Sequence, residues 1–566
     1  MNFVEKIGIK TCSWQAFERM LSRLLMYDGY KNVRMVGGSG DHGADVIASK
    51  FNKRWLIQAK QWKKPVGIEV VNETLRSLRD FKAHIPVIAA SHGFETDVVK
   101  QQQVLQSQSI PLQLWNDSAI LNKASKLDKN RIINTKTPRE YQESAITSIV
   151  QAFFSPMENR ALVVLATGLG KTFVAAEAFR RIHVQRKIKT LVLAHTNSLV
   201  YQLERSFWPF LTPEQSTFVW NGYEHPDLSR GYDYVFACID TVYEALQKGV
   251  VYEFDAIIID ECHHAGSSTY RKLIDYYDAG KSGAFLLGLT ATPWRPDEHD
   301  IKDFFGEPRI SIDMVYGMKH GFLSNVDYRM YTDNINWNAL KTFDGKLFSP
   351  KHINRTLFIN QWDDAVVLEL QRTWKEQDNP RAIVFCGTID HAINMRDRIN
   401  ALGFCNAAAV FSGTKDSIED QPFYERNRIM CDFSDGLVNV ICTVDVFNEG
   451  IDVPDVNIIV FQRVTHSRRI FIQQLGRGLR ISENKDKVIV LDFVSDIRRF
   501  AAGIDLKDKL VEKNAKRVDI PNKVTFRKVG GEDNATEAFL RNWLDDVATI
   551  ENANEDAAVL KFPPKI

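Results

Sequence analysis

Residues 165–173, LATGLGKTF, set two glycines ahead of a Lys-Thr pair, between the apolar run ALVVL and the helical stretch AAEAFRRI. Residue types in that order suit a phosphate group. Gly168 and Gly170 let backbone amides approach an anion, the amino end of the following helix favours negative charge, Lys171 can reach the outer phosphates, and Thr172 can ligate magnesium. Further along, the run FDAIIID leads into DECHHA, which puts Asp260 and Glu261 at the carboxyl end of a strand, where open parallel sheets carry their active sites. Asp260 then serves magnesium from one step behind its direct ligands, and Glu261 orients and deprotonates the attacking water. In QQLGRGLR, Arg477 and Arg480 lie three apart, so a helix shows both on one face, aimed at charge that develops on a phosphoryl group in flight. The chemistry these residues imply is hydrolysis of a nucleoside triphosphate, with ATP and magnesium as the expected cofactors.

A second constellation lies near the amino terminus, in residues 45–60, DVIASKFNKRWLIQAK. If DVIA and RWLIQAK pair as strands across the SKFNK turn, Gln58 and Lys60 point to one face because they are two apart, and a register exists that brings Asp45 beside them. Upstream, SWQAFERMLSRLL reads as a helix whose apolar stripe is Trp14, Phe17, Leu21, Leu24 and Leu25, with Glu18 leaning towards the buried side. A carboxylate there is costly unless it is paired or holds a cation. Glu18, Asp45 and the Gln58 amide oxygen form an all-oxygen set suited to magnesium, and the Lys60 ammonium can orient a water and neutralise charge building on a phosphodiester. A plainer arrangement of the same residues stays open: Asp45 capping a turn, Lys60 on an edge strand, Glu18 paired with an arginine. The neighbouring GSGDHG, residues 38–43, spells GxGxxG but is followed by strand-like DVIA and not by a helix, so no dinucleotide site is read there.

These residues must be positioned by several domains, because 566 residues exceed what one core can serve. The runs ALVVLAT, TLVLAH, DYVFACI, DAIIID and AFLLGLTAT alternate with helical segments, as do RAIVFCG, VNVICT, NIIVFQR and KVIVLDF, the pattern of two parallel sheets with crossover helices. We divide the chain into residues 1–125, a linker at 126–137, a first α/β lobe at 138–300, an aromatic-rich connector without a clean period at 301–355, a second lobe at 356–500 and an extension at 501–566. Within the extension, TEAFLRNWLDDVATI reads as a helix packed on the rest of the protein. Lys and Arg total 72 against 71 Asp and Glu, so a polyanion must be held by local patches. Residues 1–125 hold 17 Lys and Arg against 11 Asp and Glu, which makes the front of the chain its basic end. The seven cysteines show no metal-type spacing. Glu5 interrupts what would be a leader's apolar run and no stretch approaches membrane length, so a cytoplasmic enzyme with no membrane partner is expected.

Residues 138–500 resemble the superfamily-two, DExH-type helicases and translocases of restriction-enzyme motor subunits. ATGLGKT, DECHHA, LTATP (289–293), TVDVFNEGIDVPDV and QQLGRGLR carry the likeness, with AHTNSLVYQ and CIDTV matching more loosely. Two tandem RecA-like lobes are implied, with nucleotide contacts at Thr167, Gly168, Gly170, Lys171, Thr172, Gly450 and Asp452. In TPREYQ, Gln142 would read adenine. Residues 10–120 resemble the Mrr-like branch of the PD-(D/E)xK nucleases, whose helix Glu, G-x-D and Q-x-K correspond to Glu18, Gly43 to Asp45, and Gln58 to Lys60. Asp45 and Gln58 would be the metal ligands there, and Thr172 and Asp260 those of the motor. The implied fold is α/β: a restriction-endonuclease-like domain, two RecA-like parallel-sheet domains and a short helical extension. The implied function is an ATP-dependent DNA endonuclease with a helicase or translocase motor, in restriction or antiviral defence, acting on double-stranded DNA, with partner subunits of a defence system compatible with the resemblance. Two other readings are carried: a motor with an inactive nuclease-fold grip on DNA, and an RNA-directed remodeller.

Overall fold

The computed structural model describes residues 3–37, 43–225, 231–291 apart from 251 and 266, 301–332 apart from 313–315 and 318–319, 360–411, 421–444 apart from 422, 456–462, 485, 487–493, and two strands at 523–528 and 531–532. The chain divides into two compact units. One comprises residues 1–164, 170–311 and 422–428, the other residues 165–169, 312–421 and 429–566. The fold is α/β, with a five-stranded mixed sheet at the amino end followed by two larger, mainly parallel sheets of RecA-like arrangement.

The amino-terminal domain opens with α1 (Lys6–Thr11) and α2 (Trp14–Tyr27), then a five-stranded sheet of β1 (Lys31–Met35), β2 (Val46–Lys50), β3 (Lys53–Lys60), β4 (Ile85–Ala90) and β5 (Gln113–Trp115), in that order. Strands β1, β2 and β3 run antiparallel, whereas β3, β4 and β5 run parallel. The β2–β3 hairpin is tight: Lys50 pairs with Lys53 across Phe51 and Asn52, and both turn residues adopt positive φ, at 55° and 57°. That is the primed turn whose twist matches paired strands. Helices α3 (Ile68–Asp80), α4 (Thr96–Ser107) and α5 (Asp117–Ser125) complete the domain.

Strand alternation decides which side chains meet. Val46, Ala48, Trp55, Ile57, Val87 and Ala89 face α2 and pack with Phe17, Leu21, Leu24 and Leu25. The opposite face, with Ile88 and Ala90, packs against Val70 and Val71 of α3. Trp14, expected in the apolar stripe of α2, is 50% exposed, while Arg19 and Arg23 are buried. Helix α2 therefore has a second covered side that its apolar pattern does not announce.

In the first RecA-like lobe, α6 (Glu140–Phe154), α7 (Lys171–Gln185), α8 (Asn197–Phe207), α9 (Ile239–Gln247), α10 (Ser268–Tyr276) and the short α11 (Lys302–Phe305) flank a seven-stranded sheet. Its strands are β6 (Arg160–Leu165), β7 (Thr190–Ala194), β8 (Thr217–Trp220), β9 (Tyr234–Cys238), β10 (Ala256–Asp260), β11 (Phe285–Thr290) and β12 (Pro308–Ile312), in the order β12-β6-β11-β10-β7-β9-β8. The pairs from β6 through to β8 are parallel, and their near-continuous apolar runs are buried on both faces.

The second lobe holds α12 (Asn360–Trp374), α13 (Ile389–Ala401) and α14 (Phe423–Ser434) with β13 (Asn325–Thr332), β14 (Ala382–Phe385), β15 (Ala407–Phe411), β16 (Val440–Val444), β17 (Ile458–Phe461), β18 (Lys487–Phe493), β19 (Lys523–Lys528) and β20 (Gly531–Glu532). Their order is β15-β16-β14-β17-β18-β13-β19-β20. Two strands thus come from residues 301–355, where no clean period is visible: β12 joins the first sheet and β13 lies between β18 and β19 in the second. The segment TEAFLRNWLDDVATI lies outside the described residues.

Candidate active sites

At the nucleotide site, β6 ends in a turn and α7 begins at Lys171. Gly168 and Gly170 both take positive φ, at 93° and 85°, where a side chain would be strained. A Cβ at Gly170 would also stand 2.7 Å from Gln142 Nε2, so the amide of Gln142 lies against the phosphate loop. Its Oε1 accepts from the Arg139 amide at 3.0 Å and closes the first turn of α6. Thr172 is part-buried in the first turn of α7.

Asp260 closes β10, next to β7 and β11. Glu261 follows with φ 49°, an uncommon conformation for a side-chain-bearing residue and one that concentrates at functional sites. The Lys171 ammonium lies 3.6 Å from Glu261 Oε1. On its other side, His263 Nδ1 stands 3.3 Å from Glu261 Oε2 and 3.2 Å from the Thr290 hydroxyl at the end of β11. Burial, and then the neighbouring Glu261 charge, push the Asp260 carboxyl up to about 6 against the opposing pull of Lys171 and His195. Asp260 Oδ1 is buried with no hydrogen-bond partner among the described residues. A carboxylate so placed, with Glu261 beside it and Thr172 on α7, fits a divalent cation accompanying a nucleotide. His263 was not foreseen, although the DECHHA spelling places it two residues after Glu261. Arg477, Arg480, Gly450, Asp452 and the end of LTATP lie outside the described residues.

At the nuclease site, Asp45 precedes β2 and is 4% exposed; its Oδ2 accepts from the Ala59 amide of β3 at 2.5 Å. Gln58 pairs with Ile88 and Lys60 with Ala90, which sets both on the α3 side of the sheet. Helix α3 supplies Glu73, absent from the sequence reading. Its Oε2 accepts from Gln58 Nε2 at 3.0 Å and lies 3.6 Å from the Lys60 ammonium. The Gln58 amide oxygen accepts from the Thr74 hydroxyl, so the atom offered as a metal ligand already has a donor. Gly43 has φ 92°, and a Cβ there would fall 2.6 Å from Gln58 Nε2 and 3.0 Å from Glu73 Cβ. Asp45, Gln58, Lys60 and Glu73 are thus assembled around β3. Glu18 is 4% exposed on α2. Among the described residues, no three acidic, imidazole or thiol side chains gather as a ready metal cluster. The carboxylates available to an ion here are Asp45, bonded to the Ala59 amide, and Glu73, beside Lys60.

The class these features define is a nuclease domain joined to a helicase-type ATPase. Residues 9–123 match the family described as restriction endonuclease, residues 135–295 the type III restriction enzyme res subunit, and residues 363–482 the helicase conserved C-terminal domain. The chain therefore carries a restriction-endonuclease-type domain followed by two helicase-type lobes, the first of them matching the res subunit. It is 28% identical over 401 residues to the type I restriction enzyme EcoAI endonuclease subunit of Escherichia coli, a match covering 65% of this chain and 47% of that one. It is also 28% identical over 378 residues to the putative mitochondrial ATP-dependent helicase irc3 of Schizosaccharomyces pombe, covering 65% and 59%. The chain spans about half the length of these curated relatives. Its fold matches the ATP-dependent Type ISP restriction-modification enzyme LlaBIII bound to DNA, with a TM-score of 0.53 at 17% identity over 98% of this chain and 42% of that one. Among the described residues no helix is long and apolar enough to cross a membrane.

Proposed function

We propose that the chain is an ATP-dependent DNA endonuclease whose helicase lobes translocate along duplex DNA, working in restriction of foreign DNA. The observation that carries the reading is the presence in one chain of two distinct sites: Asp45, Gln58, Lys60 and Glu73 around one strand, and Lys171, Asp260 and Glu261 at the end of another sheet. In the motor, Lys171 binds outer phosphates, Glu261 takes the proton of the attacking water, and His263 relates Glu261 to Thr290 on the neighbouring strand. Magnesium held through Thr172 and Asp260 would neutralise phosphate charge. Arg477 and Arg480 would serve the same phosphates, and Gly450 and Asp452 the nucleotide. Such motors grip backbone phosphates, so sequence preference is not sought in them.

In the nuclease, Lys60 orients a water and stabilises the developing phosphorane charge, with Asp45 and Glu73 as the carboxylates that would hold a divalent ion. The domain boundaries at 125, 137, 300, 355 and 500 are part of this proposal. One feature favours a second reading, in which residues 1–125 only grip DNA: the Gln58 oxygen is engaged by Thr74, which takes up an atom the sequence assigns to the metal.

The test is a plasmid assay on circular and linear DNA with magnesium, with and without ATP, comparing the native chain with Lys171→Ala. Cleavage by the native chain that needs both ATP and an intact Lys171 supports the coupled endonuclease. DNA-stimulated ATPase with no cleavage in any lane supports the gripping domain. Stimulation by RNA above duplex DNA would overturn both.

A further inference from the structure

The covered side of α2 is a row of Arg19, Arg23 and Tyr27, spaced four apart, pressed against the first ATPase lobe within one compact unit. Arg19 donates from both Nη atoms to Glu224, at 2.7 and 2.9 Å, and its Nε lies 2.8 Å from Glu204 of α8. Its guanidinium sits over the Tyr201 ring of the same helix at 5.3 Å. Ser13, which caps α2, also donates to Glu224 at 3.0 Å. Arg23 donates to the Thr212 and Gln215 carbonyls, both at 2.9 Å, and the Tyr27 hydroxyl donates into the carbonyls of Trp208 and Leu211.

The receiving socket is assembled by the lobe itself. Asn221, fully buried, accepts from the amides of Tyr223 and Glu224 and donates to the Tyr201 hydroxyl, and Thr217 donates to Glu204 at 2.6 Å. Two carboxylates, 3% and 2% exposed, are held there against the Arg19 guanidinium, with Arg205 also acting on Glu204 through its charge. With α2 docked and Arg19 lost, Glu224 would be a buried negative charge without its ion-pair partner, which is strongly unfavourable. Such a socket is a receptor for a guanidinium. Helix α8, which supplies Glu204 and Tyr201, starts two residues after His195, whose ring lies 4.7 Å from that of His264 beside the ATPase carboxylates.

We propose that Arg19 is a positioning residue that locks the nuclease domain to the first ATPase lobe, so that the two travel as one rigid body and the cut falls at a fixed offset from the motor. The inference rests on the nuclease-motor reading above. The lock accounts for burying Arg19 and Arg23 on a helix whose apolar stripe already serves its own domain.

The experiment places a tightly bound roadblock on linear duplex DNA and maps cut positions relative to it, using the full chain, Arg19→Met, Arg19→Lys and Glu224→Gln. Hydrogen exchange on the same proteins reads docking without any reliance on cleavage. Arg19→Met is expected to raise exchange in residues 199–207 by about tenfold, leave β3 protected and DNA-stimulated ATPase intact, and scatter the cuts. Arg19→Lys keeps the charge but loses the fork, and Glu224→Gln keeps hydrogen bonding; both should scatter cuts less and guard against a variant that fails to fold. Unchanged exchange in Arg19→Met, or cuts as sharply placed as in the native chain, would overturn the lock. If the native chain cleaves nothing, the endonuclease reading fails by itself, while exchange still decides whether the domains are locked.

Discussion

Glu73 sits where two roles compete. Its carboxylate takes a hydrogen bond from Gln58 and the charge of Lys60, so it either restrains the lysine or shares a metal with Asp45. The proposed chemistry needs the second, and Glu73→Gln should then lower cleavage by about 10- to 100-fold and raise the magnesium needed for half-maximal rate. Cleavage at native rate and native magnesium dependence would reduce Glu73 to a surface ion pair. At the ATPase, Glu261→Gln should cut hydrolysis by about 10²- to 10⁴-fold in a phosphate-release assay while nucleotide still binds, because only proton removal from water is lost. Asp45, Gln58 and Lys60 were legible because strand alternation is rigid: two residues apart means one face. Glu73 was not, since a glutamate on a helix rich in polar residues looks like any solvated acid until the helix is laid on the sheet. Arg19 and Arg23 were unreadable for a related reason. Their burial comes from another domain, and the periodicity of a helix records only the face that serves its own core.

Elements show the same division. The hairpin and every apolar strand of the two lobes named from sequence are present, because runs buried on both faces declare themselves. Strands β12 and β13 did not, since β12 alternates exposure along its length and PRISI and NVDYRMYT carry charge. The hairpin turn stores a removable cost. Phe51 is 84% exposed at φ 55°, so Phe51→Asn should stabilise the chain by about 1 kcal/mol in denaturant unfolding, asparagine tolerating that conformation better. No gain would mean that Phe51 makes a compensating contact. Helices α6 and α7 are tied by Arg181, which donates to Glu143 at 2.6 and 2.8 Å and to Glu177 at 2.9 Å. Burial works to raise the Glu177 carboxyl, yet hydrogen bonds from Arg180 and Arg181 outweigh it and hold the group below its ordinary value. A depressed carboxylate stabilises the fold above the unfolded-state value and stops doing so as pH falls through the folded one. Glu177→Gln should therefore cost about 1 kcal/mol at neutral pH and nothing at strongly acidic pH, as followed by thermal unfolding across pH. An equal cost at both ends would contradict an electrostatic origin.

At the scale of the whole molecule, a nuclease domain and an ATPase lobe form one compact unit, and the arginine clasp is what the sequence patterns of either domain alone could not disclose. The proposed DNA motor and the nuclease domain held to its first lobe make a coherent machine only if that domain cuts. Lys60 is the residue on which that claim turns, because its ammonium lies 3.6 Å from Glu73 in a different domain from Lys171 and Glu261. The most direct measurement compares native chain and Lys60→Ala for plasmid cleavage and DNA-stimulated ATPase in the same reaction. The account predicts that Lys60→Ala loses cleavage by at least about 10²-fold with ATP turnover retained. Cleavage by Lys60→Ala at the native rate would contradict it.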